Sequence, residues 1–308
     1  MKPAAFQYHA PPTLPDLLDL LARHQDDGKL IAGGQSLVPT MNFRLARPAH
    51  LIDLNRVAAL DYLRATPEAL HRATPAALHI GALTRHAAFH RPVIDGPLGP
   101  LLVEVVHHIA HDPIRQRGTF AGSVAHADPA SEWCLLAATL DAKIVAQSQT
   151  GTRELTGSTF FQGIFSTALR PDELITEVQL PRLDATWRCG FYEYSRRAGD
   201  FALAMTLVAL RIQDGVIREA RVGIGGVADR PTRLSQLEIA LVGKAPDRRL
   251  FAEVAALASA AVDPMEDLHA SAAYRRDLVR ATTRRALERA CDMLVDSASL
   301  DSASVHSV

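Results

Sequence analysis

The first part of the chain mixes two hydrophobic periods. Short apolar runs bounded by turn residues predict strands at residues 29–32, 51–54, 60–64, 78–82, 142–146, 153–155 and 173–181. Apolar positions at helical spacing predict helices at residues 13–22, 98–111 and 134–140, with a further helix starting at 84. Thr13 is placed to cap the first helix. These alternating elements predict a mixed α and β region.

The pattern changes near residue 182, after a strand that ends in a proline. Strands are predicted at 190–195, 201–212 and 216–226, and Asp214-Gly215 supplies the turn that a two-residue hairpin favours. Helices are predicted at 232–241, 250–261 and 271–294. We therefore predict a second α+β domain with helices on one face of an antiparallel sheet. The small, polar residues 296–308 predict a disordered tail.

Composition restricts the classes of function. The chain has 308 residues, with 33 Lys plus Arg against 34 Asp plus Glu, so it has no general field that would attract nucleic acid. No segment approaches the ~20 apolar residues of a membrane span, and the first residues lack a signal-peptide core, so we expect a cytoplasmic protein. Its 3 cysteines form no CxxC pair, and any iron or molybdenum would be held by another chain.

The segment AGGQSLVPTMNFR, residues 32–44, leaves a predicted strand through two adjacent glycines. Because Gly33 and Gly34 lack a Cβ, their backbone can approach a ligand closely, and successive amides can form a concave anion site. Ser36 adds a hydroxyl, and phosphate or pyrophosphate is the natural ligand. A simple turn would use the same residues, and no Walker loop follows.

A second stretch, RGTFAGSVAHADP at residues 117–129, consists almost entirely of small side chains. It has hydroxyls at Thr119 and Ser123, and carboxylates follow at Asp128 and Glu132. This thin wall suits a flat or extended ligand lying against backbone, although a tightly packed turn would look similar. Two such hydroxyl-bearing turns favour a dinucleotide, whose pyrophosphate and polyol they could share.

Two other motifs have simpler explanations. GIGGVA at residues 223–228 has the letters of a dinucleotide fingerprint, but no helix follows directly, so we interpret it as a bulged strand end. His107 and His111 have the i, i+4 spacing of zinc ligands, yet cationic groups near the negative end of a helix explain them better. We predict no metal site there.

A polar, aromatic strand follows the domain boundary and includes Tyr192, Tyr194 and Arg196. It is either a solvated edge or a strand that closes a cleft between domains. The arginine-rich helix at 271–294 is either a solvated face or a surface for an acidic partner.

Five stretches together resemble the FAD-binding medium subunit of molybdenum hydroxylases, the carbon monoxide dehydrogenase and xanthine dehydrogenase group. They occur in order between about residues 6 and 294, as AGGQSLVPTMNFRLARPAHLIDLNR, IRQRGTFAGSVAHADPASEW, YSRRAGDFALA, GIGGVADRPTR and YRRDLVRATTRRAL. The resemblance implies an α+β fold. An FAD-binding domain of the vanillyl-alcohol-oxidase (PCMH) type would span 1–182, with subdomains at about 1–55 and 56–182, and a smaller domain with a three-stranded antiparallel sheet and helices would span 183–295.

The resemblance also implies which residues bind FAD. Residues 32–36 would give amides and a hydroxyl to the pyrophosphate, Glu132 would bond the cofactor's hydroxyl groups, and Ile175 and Tyr192 would lie near the isoalloxazine ring. The complete set of expected cofactor residues is Lys29, Leu30, Ile31, Ala32, Gly33, Gly34, Gln35, Ser36, Leu37, Ile109, Ala110, Thr119, Gly122, Ser123, Ala125, Glu132, Ile175 and Tyr192.

One departure from the family concerns this site. The usual Thr-Ile-Gly-Gly-Asn is Thr119-Phe120-Ala121-Gly122-Ser123 here. If the Ala121 methyl faced the pyrophosphate, binding would be weaker. Because Gly122 is retained and Ser123 can still donate a hydrogen bond, we expect FAD to be kept.

The resemblance implies an oxidoreductase subunit that works within a complex. A large subunit would oxidise the substrate at its molybdenum cofactor, a small [2Fe-2S] subunit would pass electrons to FAD on this chain, and NAD, a quinone or another external acceptor would receive them. No catalytic residue is expected in this chain. The alternatives are a self-contained FAD oxidoreductase, for which His126 or Tyr192 would be the base, and a flavin-free assembly subunit.

Overall fold

The computed structural model describes residues 2–66 and 76–292. Its strands are β1 Gln7–His9, β2 Gly28–Ile31, β3 His50–Asp53, β4 Leu63–Ala65, β5 Ala77–Gly81, β6 Lys143–Ser148, β7 Gly151–Thr156, β8 Phe161–Gly163, β9 Ser166–Thr167, β10 Leu174–Pro181, β11 Trp187–Tyr194, β12 Ala204–Gln213, β13 Val216–Gly225 and β14 Thr232–Arg233. The predicted tail at 296–308 lies outside the described residues.

The helices are α1 Leu14–His24, α2 Leu37–Asn42, α3 Leu98–His108, α4 Asp112–Arg115, α5 Phe120–His126, α6 Glu132–Thr139, α7 Gly157–Phe160, α8 Ser235–Leu241, α9 Arg248–Ala261 and α10 Ala272–Ala290. Short 3₁₀ turns lie at Gln25–Asp27, Ala58–Leu60 and His86–His90. None of the helices in the described ranges combines the length and the apolar character that a membrane crossing requires.

A small parallel sheet with the strand order β1-β3-β2 opens the fold. α1 packs on it through Leu17, Leu18 and Leu21, which are buried. As predicted, Thr13 caps this helix, and its hydroxyl accepts a hydrogen bond from the Asp16 amide at 3.3 Å. The carboxyl end of β2 leads directly into the glycine turn at 32–36.

An antiparallel sheet follows, with the order β4-β5-β10-β6-β7. The predicted pairing of residues 142–146 with 153–155 is confirmed by the β6–β7 hairpin. The α-helix predicted from residue 84 is instead the 3₁₀ turn His86–His90. The predicted helix at 98–111 ends at His108, because Ile109 is extended with a ψ of 106° and Ala110 adopts a left-handed φ of 42°.

The third sheet is antiparallel and has the order β11-β12-β13-β14. Asp214 and Gly215 turn the β12–β13 hairpin with φ values of 52° and 71°, which confirms the predicted turn. The sheet has one strand more than predicted, because Thr232–Arg233 pairs with β13 and α8 begins only at Ser235.

This third sheet is shared between two hydrophobic cores. On β12, Met205, Leu207 and Ala209 join the core formed by the first two sheets and their helices. The alternate residues Val208 and Leu210 face a second core built with α8, α9 and α10. Successive side chains of a strand point to opposite faces of the sheet, so β12 contributes to both cores.

Candidate functional site

The turn after β2 requires glycine at Gly34. Its φ is +71°, and an added Cβ would lie 3.0 Å from Cδ1 of Ile31. The Gln35 side-chain amide donates to the Gly33 carbonyl at 2.8 Å and closes the turn. Ser36 is exposed at the start of α2 and its hydroxyl makes no capping bond.

The backbone amides of this turn are unpaired. Within the described part of the chain, the N–H groups of Gly33, Gly34, Gln35 and Ser36 donate to no acceptor. Gly33, Gly34 and Gln35 are half-buried and Ser36 is exposed, and four successive unpaired amides can bind an anion such as a diphosphate.

The glycine turn lies directly against the second small-residue stretch. A Cβ on Gly33 would overlap the Arg117 carbonyl and would lie 2.6 Å from Cα of Gly118. Glycine at position 33 is therefore required by the close approach of two backbones. The two stretches that the sequence singled out meet at this point.

Side chains outside both stretches hold this contact in place. Arg85 donates to the Arg117 carbonyl and to Oδ1 of Asn55, both at 2.5 Å. Asn55 in turn donates through Nδ2 to the Ala32 carbonyl at 2.8 Å. Sequence reasoning missed both residues: Arg85 belongs to no motif, and Asn55, although it lies near the end of the first family-like stretch, was given no role.

His86 also holds the loop at Arg117 and Gly118 in place. Its backbone amide donates to the Gly118 carbonyl at 3.0 Å, and its ring packs where a Gly118 side chain would be. Nε1 of Trp133 donates to its Nδ1 at 3.0 Å. Burial lowers the pKa of His86 to about 3, so the ring is neutral.

The predicted hydroxyl at Thr119 has a structural role. Thr119 is buried, and its Oγ1 caps α5 by accepting from the Gly122 amide at 3.1 Å. Ala121 is 2% exposed and belongs to the first core, so its methyl faces the protein interior. On the opposite side of α5, Ser123 is half-buried, and Ala125, one turn after Ala121, is exposed.

Charged groups lie near His126, the last residue of α5. Burial lowers the pKa of His126, Asp128 raises it, and the charge of Lys29 lowers it further. His126 therefore lies within electrostatic range of both residues. Its ring also contacts Phe165, with centroids 4.8 Å apart. Lys29 is exposed on β2 and His126 ends α5, so the influence of Lys29 on His126 also places β2 and the end of α5 near each other.

Two buried carboxyl groups lie between α6 and β11. Burial raises the pKa of Glu132 to about 7, and Asp128 adds to this. Burial also raises the pKa of Glu193 to about 9, and the nearby Glu132 adds to it. Oε2 of Glu193 has no partner among the described residues, and its Oε1 is 3.9 Å from Nδ1 of His108.

The remaining residues expected to bind the cofactor are spread around this region. Ile109 is buried, and Ala110 is held by Arg115, which donates to the carbonyls of both residues at 2.9 and 3.1 Å. Ile175 is 4% exposed on β10, where it precedes a bulge. Leu30, Ile31 and Leu37 are half-buried around the β2 turn.

Tyr192 points away from the other expected residues. Its hydroxyl accepts from Arg285 of α10, and the guanidinium of Arg289 lies 5.2 Å from its ring centroid. Glu193, the next residue on β11, faces the first core instead. Alternation along a strand allows only one of the two neighbours to face α6. No sequence pattern indicates which of the two residues faces α6.

The GIGGVA motif serves packing. Gly223 leaves room for the Thr139 hydroxyl of α6, which a Cβ would overlap. β13 ends at Gly225, Gly226 has a φ of +77°, and no helix follows until Ser235. The expectation that no fingerprint helix follows is confirmed. The register shift of β13 lies near Ile212, so the predicted bulge at the glycines is wrong.

Family models match nearly the whole chain. The model described as the FAD binding domain in molybdopterin dehydrogenase matches residues 4–183. The CO dehydrogenase flavoprotein C-terminal domain matches residues 190–290.

Curated relatives and solved structures agree with these matches. The beta subunit of caffeine dehydrogenase from Pseudomonas sp. strain CBB1 is 36% identical over 96% of this chain and 98% of its own. The carbon monoxide dehydrogenase medium chain of Hydrogenophaga pseudoflava is 31% identical over 94% of this chain and 98% of its own.

Among solved structures, the carbon monoxide dehydrogenase of H. pseudoflava that lacks the Mo-pyranopterin moiety aligns with a TM-score of 0.89 and 32% identity, over 96% of this chain and 100% of that chain. Quinoline 2-oxidoreductase from Pseudomonas putida 86 aligns with a TM-score of 0.86 and 34% identity, over the same shares. The chain thus belongs to the FAD-binding medium subunits of the molybdenum hydroxylase type, the oxidoreductase family of carbon monoxide and xanthine dehydrogenases.

Proposed function

We propose that this chain holds FAD in the groove between β2 and α5 and relays electrons from the iron-sulfur clusters of a partner subunit to an external acceptor. The observation that carries the proposal is the backbone contact between Gly33 and Gly118, which closes one end of the groove beside free amides. A diphosphate bound there would accept hydrogen bonds from the main chain of a turn in which Gly33 and Gly34 leave no room for a side chain.

The chemistry of the groove fits the cofactor along its length. The amides of residues 33–36 and the Ser36 hydroxyl would bind the diphosphate. The Glu132 carboxylate would accept from hydroxyl groups of the cofactor, since no hydrogen bond from another side chain reaches it within the described residues. Ile109 and Ile175 offer apolar contacts. Tyr192 lies on the opposite face of β11, against Arg285 of α10, so the proposed site does not use it.

The fixed parts of the site orient the cofactor. The Thr119 hydroxyl and the Gly122 amide bond each other at the start of α5. The part of α5 that remains for the cofactor is the surface formed by Ser123 and Ala125. The Ala121 methyl lies in the core and does not obstruct the groove. FAD, when bound, supplies the capacity to accept electrons singly and release them in pairs.

The partners follow from the relatives. Medium chains of carbon monoxide dehydrogenase are among them, and one aligned structure is of a carbon monoxide dehydrogenase that lacks the Mo-pyranopterin moiety of the molybdenum cofactor. We infer a large subunit with the molybdenum cofactor, where substrate is oxidised, and a small subunit with [2Fe-2S] clusters. NAD, a quinone or another external acceptor would take the electrons from FAD.

Selective removal of flavin from the intact complex tests this order. Reduction of the physiological acceptor should be lost, while reduction of artificial dyes that take electrons before FAD should continue. Adding FAD back should restore the lost activity. Equal loss of both activities, or full acceptor reduction without flavin, would refute the relay.

A further inference from the structure

Three histidines that are far apart in the sequence meet beneath α1. His9 ends β1, His24 ends α1 and His50 begins β3. In the parallel sheet, His50 pairs with both Gln7 and Gly28. A Cβ on Gly28 would lie 3.1 Å from Cβ of His24, so the end of α1 lies directly over this part of the sheet.

Their ring nitrogens are close enough to share one ion. Nε2 of His9 lies 3.0 Å from Nδ1 of His50, and the rings of His24 and His50 are stacked with centroids 3.6 Å apart. One nitrogen from each of the three residues lies within 4.8 Å of the others. Zinc with bonds of about 2.0–2.1 Å needs ligand nitrogens roughly 3.4 Å apart, which is close to the spacing seen here. To bind one ion, His24 and His50 must rotate out of their stack, whose planes differ by 20°, and the ion must replace the contact between His9 and His50.

The end of α1 favours a cation at this position. Because His24 is the last residue of the helix, the negative pole of the helix lies beside its ring. Imidazole nitrogens are common ligands of zinc.

We propose that His9, His24 and His50 form a binding site for a divalent transition-metal ion of the zinc type, with water completing the coordination. Such an ion would tie together the first strand, the first helix and the central strand of the small sheet. No other group of this kind occurs in residues 2–66 and 76–292.

The test uses the full-length, FAD-loaded chain without a histidine tag, freed of metal by a chelator. Zinc chloride is titrated in a calorimeter, and the cobalt form is examined for the visible bands of a tetrahedral site. The wild type should bind one ion per chain, and His24→Gln and His50→Gln should weaken binding at least about tenfold. His269→Gln, at an exposed position far along the chain, is the matched control and should bind like the wild type.

A second measurement separates a site from a loss of fold. Zinc should raise the unfolding temperature of the wild type and of the control and leave that of both cluster variants unchanged. All four proteins are also compared without metal, and His24→Gln, at a helix end, is the variant expected to keep wild-type stability. Absence of saturable binding by the wild type would overturn the proposal. Undiminished binding by a folded His24→Gln variant would do the same.

Discussion

Replacing Gly33 by alanine perturbs the closest contact of the proposed flavin site. The new Cβ would overlap the Arg117 carbonyl and approach Cα of Gly118 to 2.6 Å. Both atoms belong to backbone, so no side-chain rotation can relieve the overlap. The backbone at Gly33 is not in the left-handed region, so the effect is purely steric.

The size of the effect follows from where the overlap is relieved. The free chain can separate the two turns, but flavin binding must bring them together again. Overpacking of this kind costs about 1–3 kcal/mol. If this free energy is lost from FAD binding, the Kd for FAD rises roughly 5- to 150-fold.

The assay is a titration of flavin-free protein with FAD, followed by quenching of flavin fluorescence, together with the unfolding temperature of the flavin-free form. Gly163→Ala is the matched control, because its Cβ would meet only Oδ2 of Asp229 at 3.7 Å, an ordinary contact. The control should bind FAD like the wild type.

Two results would refute the reasoning. A wild-type Kd with unchanged stability would mean that the two turns need not be in contact. A wild-type Kd with a lower unfolding temperature would mean that the overlap destabilises the folded chain and does not weaken FAD binding.

Three further predictions concern stability, measured by urea unfolding of the flavin-free chain. Thr119→Ala removes the cap of α5 and should cost about 1 kcal/mol, which Thr119→Ser should largely restore; equal losses would contradict the capping role. Glu193 has its pKa raised from 4.5 to about 9 by burial, so the folded state keeps a proton that the unfolded chain releases, and wild-type stability falls as pH rises through this range. The stability of Glu193→Gln relative to the wild type should therefore increase as the pH rises from ~5 to ~8. If the free energies of unfolding of the two proteins changed in parallel with pH, the raised pKa would be contradicted. Arg275 is 5% exposed and donates to the carbonyls of Leu203 and Gly226, so Arg275→Ala should lower the free energy of unfolding by about 3 kcal/mol. Its control, Arg276→Ala, removes an ion pair near the surface and should lower it by less than about 1 kcal/mol. Similar losses for the two variants would contradict this prediction.

Local signals predicted the elements that local interactions determine. The Thr13 cap and the apolar face of α1 lie within one helix, and the Asp214-Gly215 turn lies within one hairpin. α5 escaped prediction because its small residues resemble a loop, and only the Thr119 cap marks its start. The two-residue strand β14 exists because β13 offers an edge to pair with, which no short window reveals.

The sequence indicated the backbone segments of the candidate site but not the side-chain contacts that hold them. Two glycine-rich turns indicated a shared ligand, and the structure brings Gly33 and Gly118 together. Arg85 and Asn55, which hold that contact, act across 30 residues of sequence. The direction of Tyr192 depends on which face of β11 packs on α10, a tertiary choice. The histidine cluster likewise depends on parallel strand register.

The sheet whose two faces belong to different cores limits how this gene can be recombined. The sequence changes character near residue 182, which invites a chimera that takes its C-terminal part from a relative. Such a graft would also have to carry the α6 positions that face the sheet, because Gly223 accommodates Thr139 and Leu207 packs into the first core. Crossover points chosen from the covalent chain alone would leave mismatched surfaces in the middle of the molecule.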